Sequence, residues 1–356
     1  MTLLEYEAAA RERLSGPVWD FLEGGSGTES MVQAGRAALD RLQLRPRVLV
    51  DVSTCDSGCS LLGAQLTAPV GIAPMAYHQL AHPEGEVATA RAAGEAGALL
   101  TVSMFASRTL EDIAAAATGP LWLQLYWLRQ RDLLAGLIRR AEDAGYQALV
   151  LTVDAPRVAH RPRDVRNGFA VPAGIRAVNV SPSVMSASRG GQAGESAIAR
   201  HSREQFDPSI TWEDLAWIRE RTRLPLVLKG VLTGEDADLA VRYGIDGLVV
   251  SNHGGRQLDF AQPAADALPE IAEAVAGRCQ LILDGAIRHG ADIAKALCLG
   301  ADAVFIGRPA LWGLAHSGAS GVSAVLRVLL DEFAEVMALM GVARVQDFKS
   351  SGIVHH

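Results

Sequence analysis

The feature of this sequence that most limits its fold is an eightfold alternation of short apolar segments with longer amphipathic ones. The short segments are rich in Val, Ile, Leu and Ala, and they are residues 69–76, 98–103, 121–127, 148–154, 224–230, 247–253, 281–286 and 303–308. Near-continuous apolar runs are typical of strands in a parallel sheet that is buried on both faces. Eight consecutive β–α units favour a closed barrel over an open sheet, so we predict an α/β fold of the (β/α)8 (TIM barrel) type.

The segments between these predicted strands carry helix signals. Thr109 and Thr233 each precede acidic residues, as helix N-caps do. Several helical segments end on a glycine that is followed within a few residues by a predicted strand, namely Gly97, Gly145, Gly244 and Gly300. The predicted helices include residues 83–96, 110–117, 130–144, 234–243 and 291–299.

Two stretches fall outside this repeat. Residues 1–68 precede the first strand, and we expect helices and a short extended cap there. Residues 165–209 separate the fourth and fifth strands and are rich in Ser, Gly, Ala and Arg. That stretch leaves the end of a strand where barrel active sites lie, so we interpret it as a lid loop. Because such barrels often exceed about 250 residues, we treat residues 1–356 as one domain.

Charge and composition argue against several classes of protein. A net charge of −7 disfavours binding to nucleic acid or to an anionic membrane. The N-terminus lacks the apolar core of a signal peptide, and no apolar run approaches the roughly 20 residues that span a bilayer, so we expect a cytoplasmic protein. In a cytoplasmic protein we expect the four cysteines to be reduced. We expect no metal site, because Cys55 and Cys59 have no second pair of zinc ligands nearby.

Polar residues collect where the predicted strands end. A lone residue of this kind is more often a cap or a salt-bridge partner, but a set on at least five strands converges on one mouth of a barrel. The set comprises Gln124, Tyr126, Thr152, Asp154, Lys229, Ser251, Asn252, His253, Asp284 and Arg308. The last two loops, residues 284–290 and 306–309, offer glycine amides and two arginines, which is a common phosphate site in this fold.

The most specific signal is the run SNHGGRQLD at residues 251–259. It places a base, His253, and a guanidinium, Arg256, around a Gly-Gly turn, where both can face one small ligand. This run resembles the signature of the FMN-dependent (S)-2-hydroxy acid oxidases and dehydrogenases, which include glycolate oxidase, lactate oxidase and mandelate dehydrogenase. The resemblance extends through RPRVLVDVS (45–53), APVGIAPMA (68–76), HPEGE (82–86), LQLY (123–126), LTVDAPR (151–157), LVLKGV (226–231), LDGAIRHG (283–290) and VFIGRP (304–309).

The resemblance implies catalytic roles for three of these residues. His253 corresponds to the base that removes the α-proton, or the hydroxyl proton if the substrate delivers a hydride. Asp154 corresponds to the partner that stabilises the imidazolium, although it could instead pair with Arg157. Tyr126 corresponds to the hydrogen-bond donor at the substrate hydroxyl.

The resemblance also implies that Arg256 and Arg161 hold the substrate carboxylate, which a guanidinium fork can grip with two hydrogen bonds. Arg163 lies two residues further on and is the alternative to Arg161. For the cofactor, FMN, the family pattern assigns Lys229 to the flavin N1 and O2 end, where reduction places negative charge. The other implied FMN-binding residues are Pro74, Met75, Ala76, Ser103, Gln124, Thr152, Ser251, Asp284, Gly285, Arg288, Gly307 and Arg308.

Two departures from the family pattern concern the substrate. Phe21 stands where the family usually has a tyrosine that supports the carboxylate site, and Phe105 stands where the short-chain glycolate enzymes commonly have a tryptophan. Both changes favour an apolar or aromatic substituent. We therefore expect an aromatic substrate, mandelate or 4-hydroxymandelate, and the closest resemblance within the family is to the 4-hydroxymandelate oxidases of antibiotic pathways.

Several alternatives stay open at this point. The substrate could be a short-chain acid such as lactate or glycolate. Electrons could pass to an acceptor other than O2, or the oxo acid and peroxide could react further, as in a monooxygenase. A flavin-dependent isomerase and a flavin-free phosphate-binding lyase are more distant alternatives. Family analogy suggests a homo-oligomer, often a tetramer.

Overall fold

The computed structural model describes residues 1–180, 197–350 and 352–355. Within them, eight parallel strands close into a barrel. The barrel strands are β4 (Val70–Ile72), β5 (Leu99–Ser103), β6 (Leu121–Leu125), β7 (Ala148–Thr152), β8 (Leu226–Val231), β9 (Gly247–Val250), β10 (Gln280–Asp284) and β11 (Ala303–Ile306). Around the barrel they follow the order β10-β11-β4-β5-β6-β7-β8-β9. Each of the eight predicted segments overlaps one barrel strand, so the predicted (β/α)8 fold is confirmed.

Helices surround the barrel, and their ends follow the predicted signals. They are α4 (Glu86–Glu95), α5 (Leu110–Ala116), α6 (Arg131–Asp143), α7 (Pro162–Arg166), α8 (Ala197–Gln205), α9 (Leu215–Arg219), α10 (Gly234–Arg242), α11 (Ala264–Val275), α12 (Gly290–Cys298) and α13 (Arg308–Met340), which is kinked at Ser317 and Gly318. The hydroxyls of Thr109 and Thr233 accept the backbone N–H groups of Asp112 and Asp236, as N-caps do.

Alternation along the strands decides which side chains enter the barrel. Trp122, Val150, Val227, Val249, Ile282 and Phe305 belong to one fully buried cluster in the barrel interior. Since side chains two residues apart on a strand share a face, the residues that follow them by two point along the same interior column. Those residues are Gln124, Thr152, Lys229, Ser251, Asp284 and Gly307. The apolar core therefore gives way to polar groups at the carboxyl ends of the strands.

The chain before the barrel forms three helices and short antiparallel strands, as expected for residues 1–68. They are α1 (Leu3–Arg13), α2 (Gly16–Glu23), α3 (Ser30–Asp40), β1 (Leu42–Leu44), β2 (Cys59–Leu61) and β3 (Ala64–Leu66), and β1 pairs with β12 (Ile353–His355). Leu61 and Leu66 of the β2–β3 hairpin pack against the interior cluster and close one end of the barrel. At the other end, residues of α2 reach the mouth.

The predicted lid loop, residues 165–209, is partly helical in the structure. Residues 197–205 form the helix α8, and the short helix α7 (residues 162–166) extends into the start of the predicted loop. Residues 181–196 of the predicted lid lie outside the described residues. None of the helices in the described part of the chain has the length and apolar character needed to cross a membrane.

Candidate active site

A cavity opens at the carboxyl ends of the barrel strands, where the sequence predicts a site. Nearly all the predicted residues line it, from the FMN set to the substrate set. Of the residues assigned a catalytic, substrate-binding or FMN-binding role, Asp154 and Ser251 lie outside the wall, and each contacts a residue within it: Asp154 contacts His253, and Ser251 contacts Lys229. The structure therefore brings the predicted residues together around one cavity.

His253 lies on a turn whose backbone is left-handed at three consecutive residues. The φ angles are 59° at His253, 64° at Gly254 and 76° at Gly255. Such φ values are uncommon for a residue with a side chain, but glycine adopts them without steric cost. This explains the Gly-Gly that follows the histidine. The Ser251 hydroxyl accepts the His253 N–H at 3.0 Å and steadies the turn. The turn holds the imidazole in the cavity wall.

The carboxylate of Asp154 sets the tautomer of His253. The Nδ1 atom lies 2.9 Å and 3.1 Å from the two carboxylate oxygens. If Nδ1–H donates to this carboxylate, Nε2 is left with a lone pair that can accept a proton. A Cβ atom on Gly230 would lie 2.5 Å from the Cβ of Asp154, so glycine after Lys229 makes room for this pair.

The ionisation states of His253 and Asp154 suit proton transfer. Burial lowers the pKa of His253 below its ordinary value, and Asp154 opposes that effect. For Asp154, burial acts to raise the pKa, but His253 and Lys229 outweigh it and hold the pKa low. A neutral imidazole beside an ionised carboxylate is an arrangement that can accept a proton near neutral pH.

Two guanidinium groups face the same cavity. Arg256 donates to the backbone carbonyls of Leu22 (3.2 Å) and Gly24 (2.5 Å), and Arg161 is 8% exposed. No carboxylate of the described residues forms a salt bridge with either arginine, and burial lowers the pKa of both, since it disfavours their charge. Buried cations without a carboxylate partner are suited to receiving an anionic ligand.

Arg163 has a different environment from Arg161. It is outside the cavity wall and forms salt bridges with Asp20 at 3.3 Å and Glu29 at 2.5 Å. Its charge is therefore already compensated by neighbours in the N-terminal helices.

A chain of hydrogen bonds crosses the mouth of the barrel. Ser103 donates to Gln124 at 3.2 Å, and the Gln124 amide donates to Thr152 at 2.9 Å. On the other side, Lys229 Nζ lies 2.9 Å from the Ser251 hydroxyl and 3.0 Å from Asp284 Oδ2. All of these residues except Ser103 belong to the interior column defined by strand alternation, so the barrel itself positions them.

Comparison with known proteins decides the family. Residues 10–355 match the family described as FMN-dependent dehydrogenase. The chain belongs to this family. It is similar to the L-lactate oxidase of Nostoc sp. (46% identical; 99% of this chain and 97% of the relative covered) and to the 4-hydroxymandelate oxidase of Amycolatopsis orientalis (47%; 96% and 94%). A solved structure of mandelate oxidase with (S)-4-hydroxymandelic acid has a TM-score of 0.97, 45% identity and 99% coverage of both chains.

As a member of the FMN-dependent dehydrogenase family, the protein is an oxidoreductase that uses FMN and acts on the CH–OH group of 2-hydroxy acids. The cavity fits that cofactor. Buried Asp284 Oδ1 has no hydrogen-bond partner among the described residues, and buried Arg308 Nε has only a salt-bridge contact with Glu23 Oε2 at 3.5 Å, as expected if a ribityl hydroxyl and a phosphate complete them. At the same end, burial lowers the pKa of Arg288 to about 10, and the nearby Arg308 guanidinium contributes to that shift.

The enzyme also has cavity residues that sequence reasoning did not identify. Phe206 stacks on Tyr126 with ring centroids 4.5 Å apart, and it lies 6.1 Å from Phe105. His201 of α8 contacts Phe105 edge to face at 5.5 Å. Leu22 and Ile198 also line the cavity. The signal that could have revealed α8 is the helical spacing of Ile198, His201 and Ser202, which share one face.

Proposed function

We propose that the enzyme oxidises an aromatic (S)-2-hydroxy acid, mandelate or 4-hydroxymandelate, to the 2-oxo acid with formation of hydrogen peroxide from O2. The observation that carries this proposal is the aromatic wall of the cavity that His253 also lines. Phe105, Tyr126 and Phe206 are in mutual contact, and Phe21 stacks on Phe169 at 4.3 Å. A phenyl substituent would be enclosed by rings, whereas a methyl group would leave much of that apolar surface uncovered.

The proposed roles follow from the contacts of each residue. Arg256 and Arg161 bind the substrate carboxylate, because Arg161 is buried, Arg256 is half-buried, and neither forms a salt bridge with a described carboxylate. Tyr126 donates to the substrate hydroxyl, since burial, with some help from Asp154, raises the pKa of its phenol and keeps the proton in place. His253 Nε2 then takes the proton, from carbon or from the hydroxyl, while Asp154 stabilises the imidazolium.

The remaining predicted residues hold the cofactor. Bound FMN supplies the two-electron acceptor, and its reoxidation by O2 yields hydrogen peroxide. Lys229 provides positive charge where the reduced ring gains negative charge. Arg288, Arg308, Gly285 and Gly307 hold the phosphate, and Asp284 accepts from the ribityl chain. The other residues that bind FMN are Pro74, Met75, Ala76, Ser103, Gln124, Thr152 and Ser251.

We expect (S)-mandelate or its 4-hydroxy form to be oxidised with a kcat/KM at least about tenfold above that of lactate or glycolate. A phenyl ring buries on the order of 100 Å² more apolar surface than a methyl group, which favours it by roughly 2–3 kcal/mol at about 25 cal/mol per Å²; tenfold is about 1.4 kcal/mol. Peroxide assays without an added acceptor, run side by side on the four acids, measure this ratio.

The variant Phe21→Tyr tests the placement of the carboxylate. The Arg256 guanidinium lies 5.5 Å from the centre of the Phe21 ring, so a hydroxyl there should help the small acids most, because they have little other binding surface. The ratio of kcat/KM for mandelate to that for glycolate should therefore fall. Equal or better rates on glycolate with the wild-type enzyme would refute the aromatic assignment and favour the short-chain alternative. A lack of oxygen uptake would favour a dehydrogenase.

Replacing Asp154 with asparagine should move the acidic limb of the pH profile of kcat/KM to lower pH. Asp154 raises the pKa of His253 against burial, while Lys229 and Arg161 act to lower it, so loss of the carboxylate lowers that pKa further. The plateau rate should fall at the same time, because the imidazolium loses its counter-ion. Values of kcat/KM measured from pH 5 to 9 test this shift, and Asp20→Asn serves as a control outside the cavity. A limb that stays in place or moves upward would exclude the proposed pairing.

A further inference from the structure

Glu23 is a mostly buried carboxylate at the last residue of α2, beside the arginines proposed to bind phosphate. Its side chain is 13% exposed. Oε1 accepts the indole N–H of Trp312 at 2.6 Å, and Oε2 lies 3.5 Å from Arg308 Nε. The negative end of a helix dipole disfavours an anion at this position, so α2 itself gives no reason for a carboxylate here. The reason lies in the groups that Glu23 faces.

Those groups form a positive cluster. Arg308 lies close enough to Arg288 to lower its pKa, after burial, while Glu23 and then Glu7 act in the opposite direction. The Arg288 guanidinium stacks over the Trp312 ring at 4.8 Å, so the indole that binds Glu23 also carries the second arginine. In the flavin-free protein, Glu23 thus forms a salt bridge with Arg308 and acts electrostatically on Arg288, and these two mostly buried cations repel each other.

We infer that Glu23 is an internal counter-anion that takes the place of the FMN phosphate in the flavin-free protein and thereby limits how tightly FMN is held. The inference rests on the proposed placement of the phosphate at Arg288 and Arg308. Two effects act in the same direction. The carboxylate stabilises the flavin-free state by balancing the arginines, and it repels the arriving phosphate dianion in the flavin-bound state.

Glutamine is the substitution that isolates the charge. Its amide oxygen can still accept the Trp312 N–H, and its volume matches that of glutamate. Alanine would also release Trp312, and it would loosen the segment whose carbonyls, at Leu22 and Gly24, hold Arg256. Any change seen with Glu23→Gln therefore reports the negative charge.

The test measures FMN binding to apoprotein by quenching of flavin fluorescence at low ionic strength. Glu23→Gln should lower the Kd for FMN at least about fivefold, and the gain should shrink as salt is added. Riboflavin is the matched ligand because it lacks only the phosphate, and its Kd should stay unchanged. The apoprotein of the variant should also melt at a lower temperature than wild-type apoprotein. Asp20→Asn, three residues earlier on α2 and paired with Arg163, should alter neither Kd.

An FMN Kd that is unchanged or raised by Glu23→Gln would overturn the inference, and so would an equal tightening of riboflavin. If the variant apoprotein does not stay folded, the rate of FMN loss from the diluted holoprotein gives the answer. That rate should fall relative to wild type, and an equal or faster rate would count against the inference. These binding readouts are independent of the substrate assignment, which could fail while the role of Glu23 stands.

Discussion

Replacing His253 with alanine should slow reduction of the flavin by substrate at least about 10²–10⁴-fold, with FMN still bound. The expected loss is that of a positioned general base. His253 is the imidazole whose Nδ1 is fixed by Asp154, and its backbone and Ser251 define the turn at the cavity wall. Anaerobic stopped-flow mixing with (S)-mandelate measures the reduction step alone, and the visible spectrum reports FMN content.

Two further variants make this experiment specific. Alanine at a φ of 59° is strained, whereas asparagine adopts left-handed backbone more readily, so His253→Asn separates loss of the base from distortion of the turn. His316→Ala removes a histidine that packs on Tyr6 outside the cavity wall, and this variant should be reduced at the wild-type rate. Reduction of both His253 variants at near wild-type rates would show that another group takes the proton.

Replacing Arg256 with lysine should lower kcat/KM by the equivalent of roughly 1.5–3 kcal/mol, or about 10- to 150-fold. Arg256 uses one guanidinium nitrogen for the carbonyls of Leu22 and Gly24, which leaves the rest of its planar fork for the substrate carboxylate. Lysine keeps the charge but cannot satisfy those carbonyls and grip a carboxylate in the same geometry. Steady-state kinetics on mandelate provide the measurement.

Arg163→Lys is the matched control for this substitution. Arg163 is paired with Asp20 and Glu29 outside the cavity wall, so its replacement should leave kcat/KM close to the wild-type value. If the Arg163 variant lost activity and the Arg256 variant kept it, the carboxylate site would have to be placed elsewhere.

The sequence is informative about the barrel because a strand buried on both faces is apolar over most of its length. The alternation of side chains along such strands explains why residues such as Gln124 and Lys229 could be assigned to a common mouth. Each follows a buried interior residue by two positions on its strand, so its side chain lies on the same inner face of the barrel. The turn at 251–256 was recognisable because few sequences place histidine and arginine around two glycines.

Other parts of the site depend on tertiary contacts that leave no local pattern. Arg161 is the N-cap of α7 and Arg163 lies in its first turn, beyond β7, where strand alternation no longer assigns a face. Only the fold therefore separates the arginine in the cavity from the salt-bridged one. Phe206 follows a stretch rich in small and polar residues that carries no strand pattern, so its contact with Tyr126 could not be predicted from the sequence. Glu23 looks like an ordinary helix-end residue until α2 is packed beside Trp312 and Arg308.

The way Arg256 is held bears on how such enzymes can diverge. Its partners in α2 and the following residue are main-chain carbonyls, and a carbonyl is present whatever amino acid occupies the position. With the roles proposed above, a change at 21 would reshape the substrate end and a change of charge at 23 would retune the cofactor end, while the carbonyls that hold Arg256 remain in place. Selectivity and flavin retention would then be separately adjustable traits on one short segment.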